Sequence, residues 1–414
     1  MPCAPERSTP PPPPRDPMEN PRKRDAILPV SVMLCMHTLI ALTVFVVPVM
    51  APEIGMGAEA ISLFVLLLYF TSMITVPFSG PCTERFGPMR MMQLCVLACA
   101  AGVALCCVAT SEAIYGGGAL IGIGLGLATP AASDILLRYT PESIRSFIFS
   151  LKQAGVPAGN LIAGLLVWLA LAIGWQNAFL LTAAVGATIA IVFQPLRKTW
   201  DEGRETDTRI RVNRQSYVNG LRMIKEDKAI RWLSMSSFVF VLLQVSTTSY
   251  IVTFLVEDVG RAHETAGSIY ALAFAGGFFA RVLFGVVADN FIPPLKTLGI
   301  LGLVMGAAAI ATAQFNSDWS VYAIGAVTFL LASTAAGWNG VFIAETAARA
   351  PKGQVSHVLG ISLILTYAGC IATPPIFLGL LALSDGSYSF AFSLIAVPAI
   401  LVGIRLLLLK PDQV

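Results

Sequence analysis

Three basic side chains stand inside otherwise apolar stretches: His37, Lys152 and Arg281. An ionised group in such surroundings needs a compensating partner, because losing water is expensive for a charge. Lys152 lies in Ser150-Leu151-Lys152-Gln153-Ala154-Gly155-Val156-Pro157, beside an amide and shortly before a helix-loosening proline. One reading pairs it with an anionic substrate. The other has it snorkel to a polar rim or form a fixed ion pair with Asp134. Arg281 carries the same choice, with Asp289 or Glu345 as its structural partner. His37 can accept a proton, hydrogen-bond a substrate, or sit as a satisfied buried imidazole. Gln153, Asn160, Gln244, Trp338, Asn339 and Tyr367 are further polar or amphipathic groups in apolar runs. Some of them must line a polar cavity, since unpaired amides in apolar surroundings are costly. Carboxylates are absent from the middles of these runs; Asp134, Asp289 and Glu345 stand near run ends. The chemistry this set suits is recognition of an organic anion, such as a small carboxylate.

Bond-making chemistry finds no support. The eight cysteines (Cys3, Cys35, Cys82, Cys95, Cys99, Cys106, Cys107, Cys370) have no metal-ligand spacing, and most lie in apolar runs. His-Glu-x-x-His, a Ser-x-x-Lys facing an opening, and paired mid-run acids are all missing. The Gly118, Gly122, Gly126 row follows no strand, so it fails the context test for a dinucleotide site. No phosphate-binding loop is present, so ATP is not expected to drive the process directly. We expect no catalytic residue, no metal and no cofactor.

The elements that must position these groups follow from composition. Of 414 residues, 56% are apolar and only 12% charged, against about 25% charged in a soluble domain. Ala26–Pro52 contains no Lys, Arg, Asp or Glu. About 20 apolar residues cross a bilayer as a helix, and a run without any charged face cannot lie along its surface. The runs predict spans over roughly 27–50, 60–80, 90–110, 113–136, 147–171, 175–195, 231–254, 264–284, 297–315, 319–343, 356–381 and 388–409. The fold class expected is therefore all-α, with twelve transmembrane helices. Residues 1–25 form a Pro-rich tail that cannot pack. A six-helix unit over 26–195, a polar linker over 196–230 and a second six-helix unit over 231–410 follow it.

Lys and Arg orient the spans. One side receives the tail, Arg85, Arg90, Arg138, Arg145, the basic residues of the linker, Lys296, Arg349, Lys352, Arg405 and Lys410. The other receives Arg261 alone. This bias places both termini and the linker in the cytoplasm, in a cytoplasmic (inner) membrane. The basic linker is read as attracted to anionic lipid, with no nucleic-acid role.

The halves repeat one another. Gly80-Pro81-Cys82-Thr83-Glu84-Arg85-Phe86-Gly87-Pro88-Met89-Arg90 joins spans two and three, and Gly285-Val286-Val287-Ala288-Asp289-Asn290 joins spans eight and nine. Asp134-x-x-x-Arg138 closes span four as Glu345-x-x-x-Arg349 closes span ten. An acid and a base at i, i+4 share one helix face. These residues resemble the major facilitator superfamily, whose loop signature runs Gly-x-x-x-Asp-Arg-x-Gly-x-(x)-Arg/Lys. Gly80, Arg85, Gly87 and Arg90 match it and Glu84 replaces Asp; Gly285 and Asp289 match in the second half, where Asn290 replaces Arg. Arg281 also fits the family's longer second-half pattern.

The resemblance covers residues 26 to about 410. It implies two six-helix bundles related by a pseudo-two-fold axis, a substrate site between them at mid-membrane, and alternating access by rocking. It also implies that the loop signature is a conformational latch, with Glu84, Arg85, Asp134 and Arg138 pairing across helices. Two family patterns are absent or partial. Gly118-Ala119-Leu120-Ile121-Gly122 lacks the proton-linked Arg of span four, and Gly155-Val156-Pro157-Ala158-Gly159 is an incomplete antiporter motif. The function expected is secondary transport of an organic anion by a monomer, as uniport, exchange or proton symport. Drug efflux, and a non-transporting receptor or scaffold, are the alternatives.

Overall fold

The computed structural model describes residues 22–141, 144–202, 204, 226–349 and 355–409. The Pro-rich tail through residue 21, linker residues 205–225, Lys352 and Lys410 lie outside the described residues. Twelve helices are long and apolar enough to cross a bilayer. They are α1 (Lys23–Val49), α2 (Ala58–Phe86), α3 (Pro88–Cys106), α4 (Ser111–Tyr139), α5 (Phe147–Ile173) and α6 (Trp175–Trp200) in the first half. The second half holds α7 (Lys228–Glu257), α8 (His263–Ala288), α9 (Pro294–Thr312), α10 (Val321–Thr346), α11 (Ser362–Leu383) and α12 (Tyr388–Leu408). The described residues form no strand. Intrahelical bonding is what lipid imposes, because no water is available there for an open backbone group.

Local chemistry sets the ends. Thr110 accepts from the Ala113 amide at the start of α4, Asp227 from Ala229 and Ile230 before α7, and Ser387 from Phe390 at α12. Each satisfies amides that the first helical turn leaves unpaired. Pro88 and Pro294 sit at the first turns of α3 and α9, where no amide is needed. The expected loop between α2 and α3 is mostly helix: Ser79–Phe86 continues α2, and Gly87 alone breaks it at φ +93°. The apolar count for span two missed this extension because its residues are polar while its backbone stays helical.

In the first half, α4 is clamped between α2 and α3. Gly118, Gly122 and Gly126 lie against Phe64, Leu68, Thr71, Ser72 and Thr75 of α2, and Gly117 and Gly124 against Gly102 and Cys95 of α3. Thr71 and Ser72 donate across to the Ala119 and Gly122 carbonyls at 3.0 and 2.9 Å. The halves meet through α1 with α7, α2 with α11, and α5 with α8. By the alternation of spans, one face carries the first described residues, the described ends of α6 and α7 that flank the linker, and most of the described Lys and Arg; we call it the basic face.

Candidate functional site

The seam between the halves is best followed from the face opposite the basic one. There His263, at the first turn of α8, places Nε2 2.9 Å from the Val49 carbonyl oxygen and Nδ1 3.5 Å from Glu53 Oε2. Ser62 of α2 and Tyr250 of α7 share a hydrogen bond at 2.8 Å. Trp168 donates from Nε1 to Ser268 Oγ at 2.8 Å. A Cβ on Gly164 of α5 would stand 2.6 Å from the Gly267 carbonyl oxygen of α8, so only a hydrogen atom fits at this crossing.

Deeper along the same pair of helices, Tyr270 donates its hydroxyl to Asn160 Oδ1. Asn160 in turn donates to the Val156 carbonyl at 3.1 Å, so both ends of its amide are used. Tyr69 of α2 lies in electrostatic reach of Tyr270 of α8 and of Tyr367 and Cys370 of α11, which makes a tyrosine-lined stretch of the seam.

Next comes the basic cluster. Helix α5 is made of two pieces, Arg145–Gln153 and Gly155–Ile173, broken at Ala154. Pro157 explains the break: it has no amide hydrogen to offer the carbonyl of Gln153 four residues earlier. Arg281 fills that vacancy from the other half, donating from Nη1 to the Gln153 carbonyl oxygen at 2.9 Å and from Nε to the Ala336 carbonyl oxygen at 2.9 Å. Lys152 is 1% exposed and lies in electrostatic reach of Arg281, and His37 in reach of both. No described carboxylate stands within ion-pair distance of either cation. His37 Nδ1 is buried without a hydrogen-bond partner.

Several sequence expectations are corrected here. Arg281 does not pair with Glu345, which binds Arg349 of its own helix at 2.6 Å; two carbonyl groups satisfy Arg281 instead. Asp289's side chain lies outside the described residues. The fixed pair of Lys152 with Asp134 is absent, because Asp134 is engaged by Arg138 at 2.5 Å. Trp338 is fully buried between Phe240 and Phe342 inside the second half, and its Nε1 has no hydrogen-bond partner among the described residues. Gln244 and Asn339 meet each other at 3.2 Å, which satisfies part of each amide. Lys152, Gln153, Asn160, Arg281 and His37 come together along the seam; Tyr367 joins the tyrosine stretch.

The latch is expected to break for inward opening, and in this conformer the described ion pairs of its acids lie within single helices. Asp134 and Glu345 pair with Arg138 and Arg349 on their own helices, where the family resemblance implies cross-helix pairing for the first. Arg85 is exposed, with its guanidinium 5.7 Å from the Phe86 ring centre. Gly80 and Gly285 have open space where a side chain would stand. An unforeseen residue, Asp201, holds the region together. Its carboxylate accepts from the Met89 amide at 2.7 Å and from the Arg90 amide at 3.2 and 3.3 Å, and Arg197 lies 3.4 Å away. Burial pushes this carboxyl up, while those amides and Arg197 pull it back down. A Cβ on Gly87 would fall on the Asp201 carboxylate, so the signature glycine makes room for the cap as well as the positive φ. Nothing in the sequence spacing points to Asp201, which is 112 residues from Met89.

A family model described as Major Facilitator Superfamily matches residues 30–374. The chain belongs to the major facilitator superfamily. Among curated proteins, it is 23% identical over 312 residues to "4-hydroxybenzoate transporter PcaK" of Acinetobacter baylyi, covering 68% of each chain. It is 24% identical over 313 residues to the protein of that name from Pseudomonas putida, covering 67% of this chain and 68% of the relative. Among solved structures it superposes on a bacterial homologue of the human lysosomal transporter Spinster, inward-facing and unoccupied, with TM-score 0.68 and 16% identity over 93% of this chain and 95% of that one. A variant of the E. coli fucose:proton symporter FucP gives TM-score 0.63 and 16% identity, over 92% and 98%. The fold is thus the two-bundle fold of major facilitator superfamily transporters, and the chain is a multi-pass membrane protein.

Proposed function

We propose that this superfamily member is a secondary active transporter of an organic carboxylate, and that Lys152 and Arg281 bind its anionic group. The observation that carries the proposal is the pair of buried cations at the seam with no described carboxylate beside either. A buried Lys or Arg in a membrane helix costs roughly 3 kcal/mol on insertion scales, and two in mutual reach raise the cost further. A substrate carboxylate offsets that cost in a way that a cationic drug cannot. Tyr69, Tyr270 and Tyr367, further along the same seam, offer aromatic surface to a flat ring. Relatives named for 4-hydroxybenzoate transport support an aromatic acid as the first candidate.

With the termini on the cytoplasmic side of an inner membrane, as the Lys and Arg bias implies, the conformer is closed toward the outside. Rocking of the two bundles would then expose the seam alternately.

Uptake of radiolabelled 4-hydroxybenzoate into proteoliposomes tests the proposal, with benzoate and a cationic drug as competitors. We expect Lys152→Ala to lower uptake at least tenfold, which corresponds to about 1.4 kcal/mol of binding. Lys152→Arg should retain part of it. Unchanged uptake in both variants would remove Lys152 from the site, and competition by the cation alone would overturn the substrate class.

A further inference from the structure

We propose that His263 is a proton site that locks the seam at the face opposite the basic one: protonation at Nδ1 ties α8 to the first half at two points. The inference is independent of the substrate. A carbonyl oxygen can only accept, so the 2.9 Å contact with Val49 means that Nε2 carries the hydrogen. In the neutral ring Nδ1 is then an acceptor. It faces the Glu53 carboxylate, also an acceptor, at 3.5 Å, and Nδ1 is buried with no hydrogen-bond partner. Two acceptors confront each other, and a proton between them converts that conflict into a charge-assisted hydrogen bond.

Both partners of the ring, Val49 and Glu53, belong to the first half, while His263 belongs to the second. The proton therefore stabilises contact between the halves rather than either half alone. Opening this face separates His263 from Glu53 and releases the proton to the solution on that side.

Other charged groups stand at the same face, and the His263→Gln variant separates their response from that of the ring. Glu53 is the carboxylate facing it from the helical turn Ala51–Ile54, which packs on α7. At the end of α7, Glu257 accepts from Tyr388 at 3.4 Å, and Asp258 follows it. Arg261 is turned onto the Ser317 and Trp319 carbonyls at 3.0 and 2.5 Å. Glu264 is the neighbour on α8 itself.

The test measures the distance between spin labels on the two halves of the full-length protein in lipid nanodiscs. Labels are carried by bio-orthogonal residues at the exposed positions Glu59 and Asp318. Between pH 8 and pH 5.5 the closed-to-open ratio at this face should rise about threefold or more, because the closed conformer holds the proton more tightly than the open one. His263→Gln keeps a donor for Val49 but cannot take the proton, and it should flatten the response. Glu53→Gln should diminish it. A flat wild-type profile, or an undiminished response in His263→Gln, overturns the proposal. Should His263→Gln fail to fold, Glu53→Gln decides: Glu53 is partly exposed, and a full response in its absence overturns the proposal equally.

Discussion

The two ends of the seam are built on different rules. At the face away from the termini, the halves bond directly to one another: His263 to Val49, Ser62 to Tyr250, Trp168 to Ser268, and Gly164 against Gly267. At the basic face the described ion pairs are kept within one half: Asp134 with Arg138, Arg197 with Asp201, and Glu345 with Arg349. The described ion pairs of the basic face thus stay inside one half, while cross-half hydrogen bonds run from the opposite face inward as far as Arg281 and the Gln153 carbonyl. That asymmetry describes a conformer closed at a single face. It also says which bonds must break for the opposite conformer to form: neutral ones between hydroxyls, ring nitrogens and carbonyls, each worth about 1 kcal/mol net.

Three substitutions would break or sharpen this contrast. The largest effect should come from Gly164→Val, whose added atoms meet the Gly267 carbonyl and the Ala271 amide of α8 at 2.6 and 2.7 Å. Backbone cannot give way as a side chain does, so overpacking of about 1–3 kcal/mol should fall on the closed conformer. Label distances across that face should lengthen, with transport falling in parallel; unchanged distances would show that the crossing is not a closure point. Asp201→Ala comes next. It removes the acceptor that caps Met89 and Arg90 and should lower stability by about 1–2 kcal/mol, read by thermal unfolding in detergent. The distances at the far face should stay as they were, because this carboxylate works inside the first half. Tyr250→Phe should do least. It deletes the bond to Ser62 but keeps the ring stacked on Phe377 with centres 4.1 Å apart, so about 1 kcal/mol of closure is lost. An effect of Tyr250→Phe larger than that of Gly164→Val would reverse the ranking of packing over hydrogen bonding at the seam.

The twelve spans were legible in the sequence because lipid leaves helix as the one economical answer to a long apolar run. The repeated Asp134-to-Arg138 and Glu345-to-Arg349 spacings were legible too, since i, i+4 fixes a helix face without reference to anything else. Partners across helices were not. Pro157 announces an unpaired carbonyl at Gln153, but that Arg281 of the other half should answer it depends on the docking of α5 against α8. Trp338 reads as amphipathic in one dimension, and its seat between Phe240 and Phe342 is visible only in three. Asp201, in a segment of ordinary linker composition, gave no local sign of its role. Tyr270 could have been noticed, as a polar-tipped ring midway along a span, yet its partner Asn160 lies 110 residues away.

The glycine seams on both sides of α4 have a mechanical consequence. With the α4 backbone resting closely on carbonyls and short side chains of its neighbours, α2, α3 and α4 have little room to slide or tilt separately and should travel as one stiff plank. Deformation during a transport cycle is thereby driven out of the bundle and into the two places built to yield: the proline-weakened joint of α5, and the border where the bundles touch.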